Sequence, residues 1–183
     1  MPTPDRTSRA EIVAAAASVL EAGGVPAVTM QAVAARVGVR APSLYKRVRD
    51  RDGLLLLVAE DAADDLTARL AASERDLPAY ARAFREFARA RPEGFRLIFA
   101  SSDAAEATER AARPVVDACA AIVGAEAALD AARLFTAWAV GFLTMELLGA
   151  FRLGGDVDQA FAYGIARLLD GLAADASDKG AAR

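Results

Sequence analysis

The chain has 183 residues, of which 55% are apolar and 26% charged, a composition that can bury one or two modest cores and is unlike that of a disordered tail. It has no histidine and one cysteine, Cys119, which excludes histidine triads, histidine general bases, histidine metal sites, thiolate zinc sites and an intrachain disulfide. The net charge of −3 argues against a nucleic-acid coat and confines any DNA contact to a local patch.

Hydrophobic periodicity reads as helix almost throughout, so the expected class is all-α, with about nine helices. Ser8-x-x-Glu11 is a capping box; Ile12, Ala16, Val19 and Leu20 then share one face, and Gly23-Gly24 is expected to end the first helix. Thr29 is the expected N-cap of a short second helix ending at Gly38, with Val28 and Val33 as its hydrophobic staple. A third helix is predicted over 40–48, with Pro42 in its first turn, where a missing N–H costs little. Asp50 caps a fourth helix that runs to about Ser73.

Further helices are predicted from Leu77-Pro78 to Arg91, from Pro92 through Phe99, and from an Asp103-x-x-Glu106 cap, the last kinked or divided by Pro114. A long helix over 126–151 is broken by Leu153-Gly154-Gly155, and Asp156-x-x-Gln159 caps a final helix ending near Ala174, with 176–183 as a disordered tail. The longest apolar stretch, 134–145, falls short of the roughly 20 residues of a membrane span. Residues 1–11 are polar, unlike a secretory signal, so no membrane partner and a cytoplasmic location are expected. No phosphate-binding glycine loop and no metal-ligand cluster is present, so no cofactor is expected.

Residues 1–55 hold eight Lys and Arg against five Asp and Glu, whereas the remainder holds fourteen against twenty. Six of the basic residues, Arg36, Arg40, Lys46, Arg47, Arg49 and Arg51, fall in one short span. A charge run is usually a solvated face, but this one coincides with a motif. Residues 29–55 have the layout of a helix-turn-helix: a short helix, a tight turn at Gly38-Val39 and a second short helix that sets a few side chains at the lip of the major groove. Val33, Ala34, Val37, Val39, Leu44 and Val48 supply the apolar contacts, leaving Gln31, Arg40, Ala41, Ser43 and Lys46 to project outward.

This span closely resembles the TetR family of regulators at Thr29, Ala34, Gly38, Val39, Leu44, Tyr45, Arg51 and Leu54. The resemblance implies phosphate contacts from Thr29, Tyr45 and Arg51, and base-edge reading by Gln31, Arg40, Ala41, Pro42, Ser43 and Lys46. The chain departs from the family pattern at Arg40, often Ser, at Arg47, usually His, at Val48, commonly Phe, and at Arg51, usually Lys. A second segment, at Gly141, Phe142, Met145, Glu146, Gly149 and Phe151, is similar to the WHG-type C-terminal branch of that family, with Val140 in place of the branch's His.

The implied protein is a homodimer that binds palindromic operator DNA and is released by a small hydrophobic effector. Residues 1–55 form its DNA-binding domain and 56–175 its ligand-binding and dimerisation domain. The resemblance puts the dimer interface on the last two helices, and the stripe Phe161, Gly164, Ile165, Leu168 and Leu172 has the spacing for it, or for packing on its own domain. Phe99, Trp138, Phe142 and Met145 are candidate pocket residues, with Arg133, Thr136, Thr144 and Glu146 as candidate polar anchors. Two other readings compete: an adaptor with a vestigial helix-turn-helix, and a small helical enzyme relying on carboxylates alone.

Overall fold

A computed structural model describes residues 8–100 and 105–181, the side chains of 105 and 175–181 excepted. Among the described residues there are nine helices and no strand: α1 (Arg9–Ala27), α2 (Met30–Arg36), α3 (Ala41–Leu44), α4 (Arg51–Ala72), α5 (Leu77–Ala90), α6 (Pro92–Ala100), α7 (Ala105–Val123), α8 (Ala128–Leu147) and α9 (Val157–Ala181). The fold is all-α. Two compact units form, one from Met1–Asp65 with Arg91–Thr108, the other from Leu66–Ala90 with Glu109–Arg183. This division by packing does not fall at the expected 55/56 boundary, because the start of α4 and all of α6 pack with the first unit.

In the first unit, the Ser8 hydroxyl accepts from the Glu11 N–H at 3.1 Å while the Glu11 carboxylate accepts from the Ser8 N–H at 2.7 Å, completing the capping box. By length and composition α1 is apolar enough to cross a membrane. Its apolar residues Ile12, Ala15, Ala16, Ala17 and Leu20 are buried in the core with Val28, Val33, Leu44, Leu54 and Val58. Gly24, at φ 69°, interrupts the helix as expected, and a short turn containing Pro26 carries on to Ala27.

Thr29 caps α2, its hydroxyl accepting from the Ala32 N–H at 3.1 Å, and the staple residues Val28 and Val33 are fully buried. Gly38, at φ 72°, makes the turn. Regular helix in α3 covers only four residues and gives way to turn through residue 47, shorter than the predicted 40–48. Asp50 accepts from the Gly53 N–H at 2.7 Å and so caps α4. Glu21 of α1 accepts from the Glu93 and Gly94 N–H groups at 3.1 and 2.9 Å, which caps α6 from a neighbouring helix.

In the second unit, Asp76 accepts from the Ala79 N–H at 2.7 Å to open α5, whose buried face includes Leu77, Tyr80, Phe84 and Phe87. The Asp103 cap expected for α7 lies outside the described residues, and Pro114 sits inside one continuous helix. Gly149, at φ 61°, follows α8 and leaves Phe151 outside the helix that was predicted to include it. Asp156 accepts from the Asp158 and Gln159 N–H groups at 2.8 and 3.3 Å, opening α9. That helix runs through Ala181, past the predicted end near Ala174 and into the expected tail; no proline occurs after Val157 to stop it.

Helix α5 packs on α8 and α9, which also pack on each other. Gly164 of α9 allows that approach, since a Cβ there would lie 2.5 Å from Cζ2 of Trp138. Gly164→Ala is therefore expected to destabilise the protein by about 1–3 kcal/mol through overpacking. Urea unfolding measures this; a midpoint equal to that of the wild type would show that the indole moves aside without cost.

Candidate functional site

Most of the residues expected to read DNA lie on the outside of the α2–α3 region. Thr29, Gln31, Arg40, Pro42, Ser43, Tyr45 and Lys46 are exposed, and Tyr45 keeps 54% of its surface open despite its place beside the buried Leu44. Ala41 differs: it is half-buried and packs against the core, so little of it is left to meet a base. The Thr29 hydroxyl spends a lone pair on the cap but keeps its own proton for a phosphate oxygen.

Tertiary contacts sort the basic cluster. Arg36 donates to the Ser18 hydroxyl at 2.5 Å and Arg49 pairs with Asp50 at 2.8 Å. Arg51 donates through Nε to the Val28 carbonyl and through Nη2 to the Val25 carbonyl, each at 2.7 Å. The Arg40 and Lys46 side chains are exposed and form no ion pair among the described residues. Sequence spacing could not separate these groups, because the partners of Arg36 and Arg51 are 18 to 26 residues away.

The second unit contains a charged network that sequence reasoning missed. Arg85 of α5 donates to both Glu146 oxygens, from Nε at 2.9 and 3.2 Å and from Nη2 at 2.7 Å, and from Nη2 to Asp158 at 2.6 Å. Arg89 joins the same two carboxylates at 2.6 and 3.1 Å. The Arg85 guanidinium also stands over the Phe161 ring, 4.5 Å from its centroid. Burial pushes the Glu146 carboxyl up, but hydrogen bonds and charge from Arg85 and Arg89 outweigh it and hold the group below its ordinary value. Hydrogen bonds from Arg89 and Arg85 lower Asp158 in the same way. Glu146 was a candidate ligand anchor, and its oxygens are instead committed to arginine. Arg133 pairs with Asp130 at 3.1 Å, and the Thr144 hydroxyl donates to the Val140 carbonyl at 2.7 Å.

The four candidate pocket residues divide between the two units. Phe99 belongs to the first unit, where it meets Phe95 edge-on at 5.2 Å. Trp138 and Phe142 fill an aromatic cluster with Phe151 and Phe161, with ring centroids 4.8 to 5.8 Å apart. Met145 is exposed. Two of the cavities among the described residues lie in the second unit, and none of the four candidates lines either of them. The larger, about 480 Å³, is walled by Val123, Ala127, Ala131, Leu134, Leu168 and Leu172 with Asp130 and Arg167. The smaller, about 320 Å³, lies beside Arg85, Arg89 and Phe161.

The stripe expected at the dimer interface turns largely inward. Phe161 and Leu172 are buried within their own unit, Gly164 lies against Trp138, and Ile165 and Leu168 are half-buried. Within one chain these residues pack toward α5 and α8. Among the described residues, the large apolar side chains left exposed on α8, its C-cap and α9 are others: Leu129, Leu134, Met145, Leu148 and Tyr163.

Two family patterns match the chain. Residues 12–58 match bacterial regulatory proteins of the tetR family, and residues 77–168 match the tetracyclin repressor-like C-terminal domain, a description that names no WHG branch. No curated protein matches the chain by sequence. Among solved structures, a protein of unknown function from Rhodococcus sp. RHA1 is 28% identical over 94% of this chain and 100% of its own, with a TM-score of 0.75. BioQ of Mycobacterium smegmatis is 27% identical over 92% and 99%, with a TM-score of 0.65. A single-residue variant of TetR from Acinetobacter baumannii AYE, solved in complex with minocycline, is 23% identical over 90% and 96% at a TM-score of 0.69, and so shares the fold. With both its helix-turn-helix and its C-terminal helices matched in this way, the chain belongs to the TetR family of transcriptional regulators and is a DNA-binding protein rather than an enzyme.

Proposed function

We propose that this protein is a cytoplasmic repressor that binds a palindromic operator as a homodimer and releases it when a small hydrophobic effector occupies the C-terminal helices. The observation that supports DNA reading most directly is the outward set Gln31, Arg40, Pro42, Ser43, Tyr45 and Lys46, anchored by the buried Leu44 beneath it. In this reading Thr29 and Tyr45 grip phosphates, while Arg40 and Lys46 reach base edges.

A module this small contacts few base pairs, so specificity calls for two copies on half-sites about 34–36 Å apart. For the dimer face we favour α8 and α9. Leu129, Ala137, Gly141, Met145 and Leu148 follow one exposed face of α8, together with Arg133, and nothing approaches the Gly141 α-carbon within van der Waals range of an added Cβ. Residues 56–175 would then join effector binding to dimerisation. The minocycline complex of the Acinetobacter relative supports a drug-like organic effector for this fold, and the apolar cavity of about 480 Å³ in the second unit has a suitable volume. By linkage, an effector that weakens operator binding must itself bind the operator complex more weakly by the same factor.

Selection of bound duplexes from a random pool tests the proposal. An inverted-repeat consensus is expected, and Arg40→Ala should lower affinity roughly tenfold and relax preference at one position of each half-site. Equal binding to all duplexes, or a monomer in sedimentation, would overturn it.

A further inference from the structure

We infer that Arg51 is a positioning residue of the DNA-reading surface, locking the α1–α2 junction through two backbone carbonyls, rather than a phosphate ligand. The inference rests on the proposed operator binding. Regular helix in α1 stops at Gly24, and the chain then passes through Val25 and Pro26 to Val28, the residue just before the α2 cap Thr29. Nothing within that junction supplies a side-chain donor to the Val28 carbonyl. Arg51, at the first position of α4, reaches back across 23 residues to do so through Nε, and its Nη2 takes the Val25 carbonyl, both at 2.7 Å.

This edge of the guanidinium is thereby committed to protein backbone. Nη1 lies 3.8 Å from the Asp52 carboxylate, too far for a hydrogen bond, and this exposed negative charge beside the open edge of the guanidinium disfavours a second anion there. The fork therefore ties the N-terminus of α4 to the residue that precedes the N-cap of α2, and these two points bracket the whole reading segment. A lysine has one ammonium on a flexible stem and cannot hold two carbonyls in a planar fork. Arg51 and lysine are thus not equivalent here, although either would serve as a positive charge beside a phosphate.

The experiment compares wild type, Arg51→Lys and Arg51→Gln in full-length protein. The readouts are affinity for the selected operator and for a random duplex across about 50 to 200 mM salt, thermal unfolding, and hydrogen exchange at residues 28–33. If Arg51 positions, both variants lose roughly tenfold or more in operator affinity but little for random duplex, so the specificity ratio falls. The salt slope stays at the wild-type value, and exchange at 28–33 accelerates while the rest of the chain is unchanged. If Arg51→Lys keeps wild-type affinity and Arg51→Gln makes the slope of the dimer shallower by about 1.8, Arg51 is a phosphate ligand and the inference is wrong. A loss of melting temperature with an unchanged specificity ratio in the folded protein would also overturn it, as a merely structural role. Arg51→Gln keeps a side-chain N–H for one carbonyl and serves if Arg51→Lys fails to fold. Should wild type itself select no operator, the proposed function fails and not this inference alone.

Discussion

Replacing Glu146 with alanine is expected to lower the unfolding free energy by about 3 kcal/mol, the low end for breaking a buried ion pair. The Arg85 and Glu146 side chains are only 11% and 13% exposed, so removing the carboxylate leaves a guanidinium with two of its donors facing space that water reaches poorly. The loss is held to the low end because Arg85 keeps Asp158 at 2.6 Å, and because Arg89 is half-exposed and can turn to solvent. Replacing both partners with apolar residues, as in Arg85→Met with Glu146→Leu, should cost far less than Glu146→Ala, since no charge is stranded. Denaturant unfolding of the two variants and wild type decides the matter, and a Glu146→Ala midpoint equal to that of wild type would show that the network contributes nothing. The pH dependence has a definite sign. The folded-state value of Glu146 is depressed, so its stabilisation is complete above the unfolded value of about 4.3 and is lost as pH falls through the lower folded-state value. Wild type should therefore lose this contribution only in the acid range, and Glu146→Ala should show a flatter stability profile there.

Leu44→Ala is the second change with a large expected effect, about 2–5 kcal/mol on the first unit together with loss of operator binding. Leu44 is the only buried residue of α3 and is fully inaccessible. Its helix has four regular residues, no side-chain cap at Arg40, and two backbone bonds from Arg47 and Val48 to the Leu44 carbonyl. So short a helix has almost no intrinsic stability and stays folded chiefly through this fully buried anchor, with Ala41 and Val48 beside it. Truncating it leaves Ser43, Tyr45 and Lys46 on a segment without a fixed orientation. Hydrogen exchange should show protection lost over residues 40–48 before the second unit opens, and a gel-shift titration should show operator affinity reduced to the level of random duplex. Full operator affinity with unchanged exchange would refute the anchor role.

Local features were the legible part of this protein. Ser8, Thr29, Asp50 and Asp156 announce helix starts because a cap acts within three residues of itself, and each accepts the N–H its spacing implies. The absence of histidine, the Gly38 turn and the outward Gln31, Arg40, Ser43 and Lys46 were likewise readable from helical period, whereas Ala41, read as outward, is half-buried against the core, and the exposure of Tyr45 was not read from the period. Helix ends proved less legible. α3 and α8 are shorter and α9 longer than predicted, since propensity changes little from residue to residue where no strong breaker stands.

Composition and spacing alone thus determined the all-helical class, the capped helix starts and the motif that marks a DNA-reading regulator. Only the tertiary structure decided which arginines hydrogen-bond to protein groups distant in the chain, Arg36, Arg51 and Arg85, and which form no ion pair among the described residues, such as Arg40. It also decided that Phe161 and Leu172 face inward while Met145 and Tyr163 face out. The reason is physical: a cap or a turn is an interaction among neighbours in the chain. Whether a cation or an apolar stripe is free depends on groups brought near it from 18 to 73 residues away, and period and composition carry no record of those.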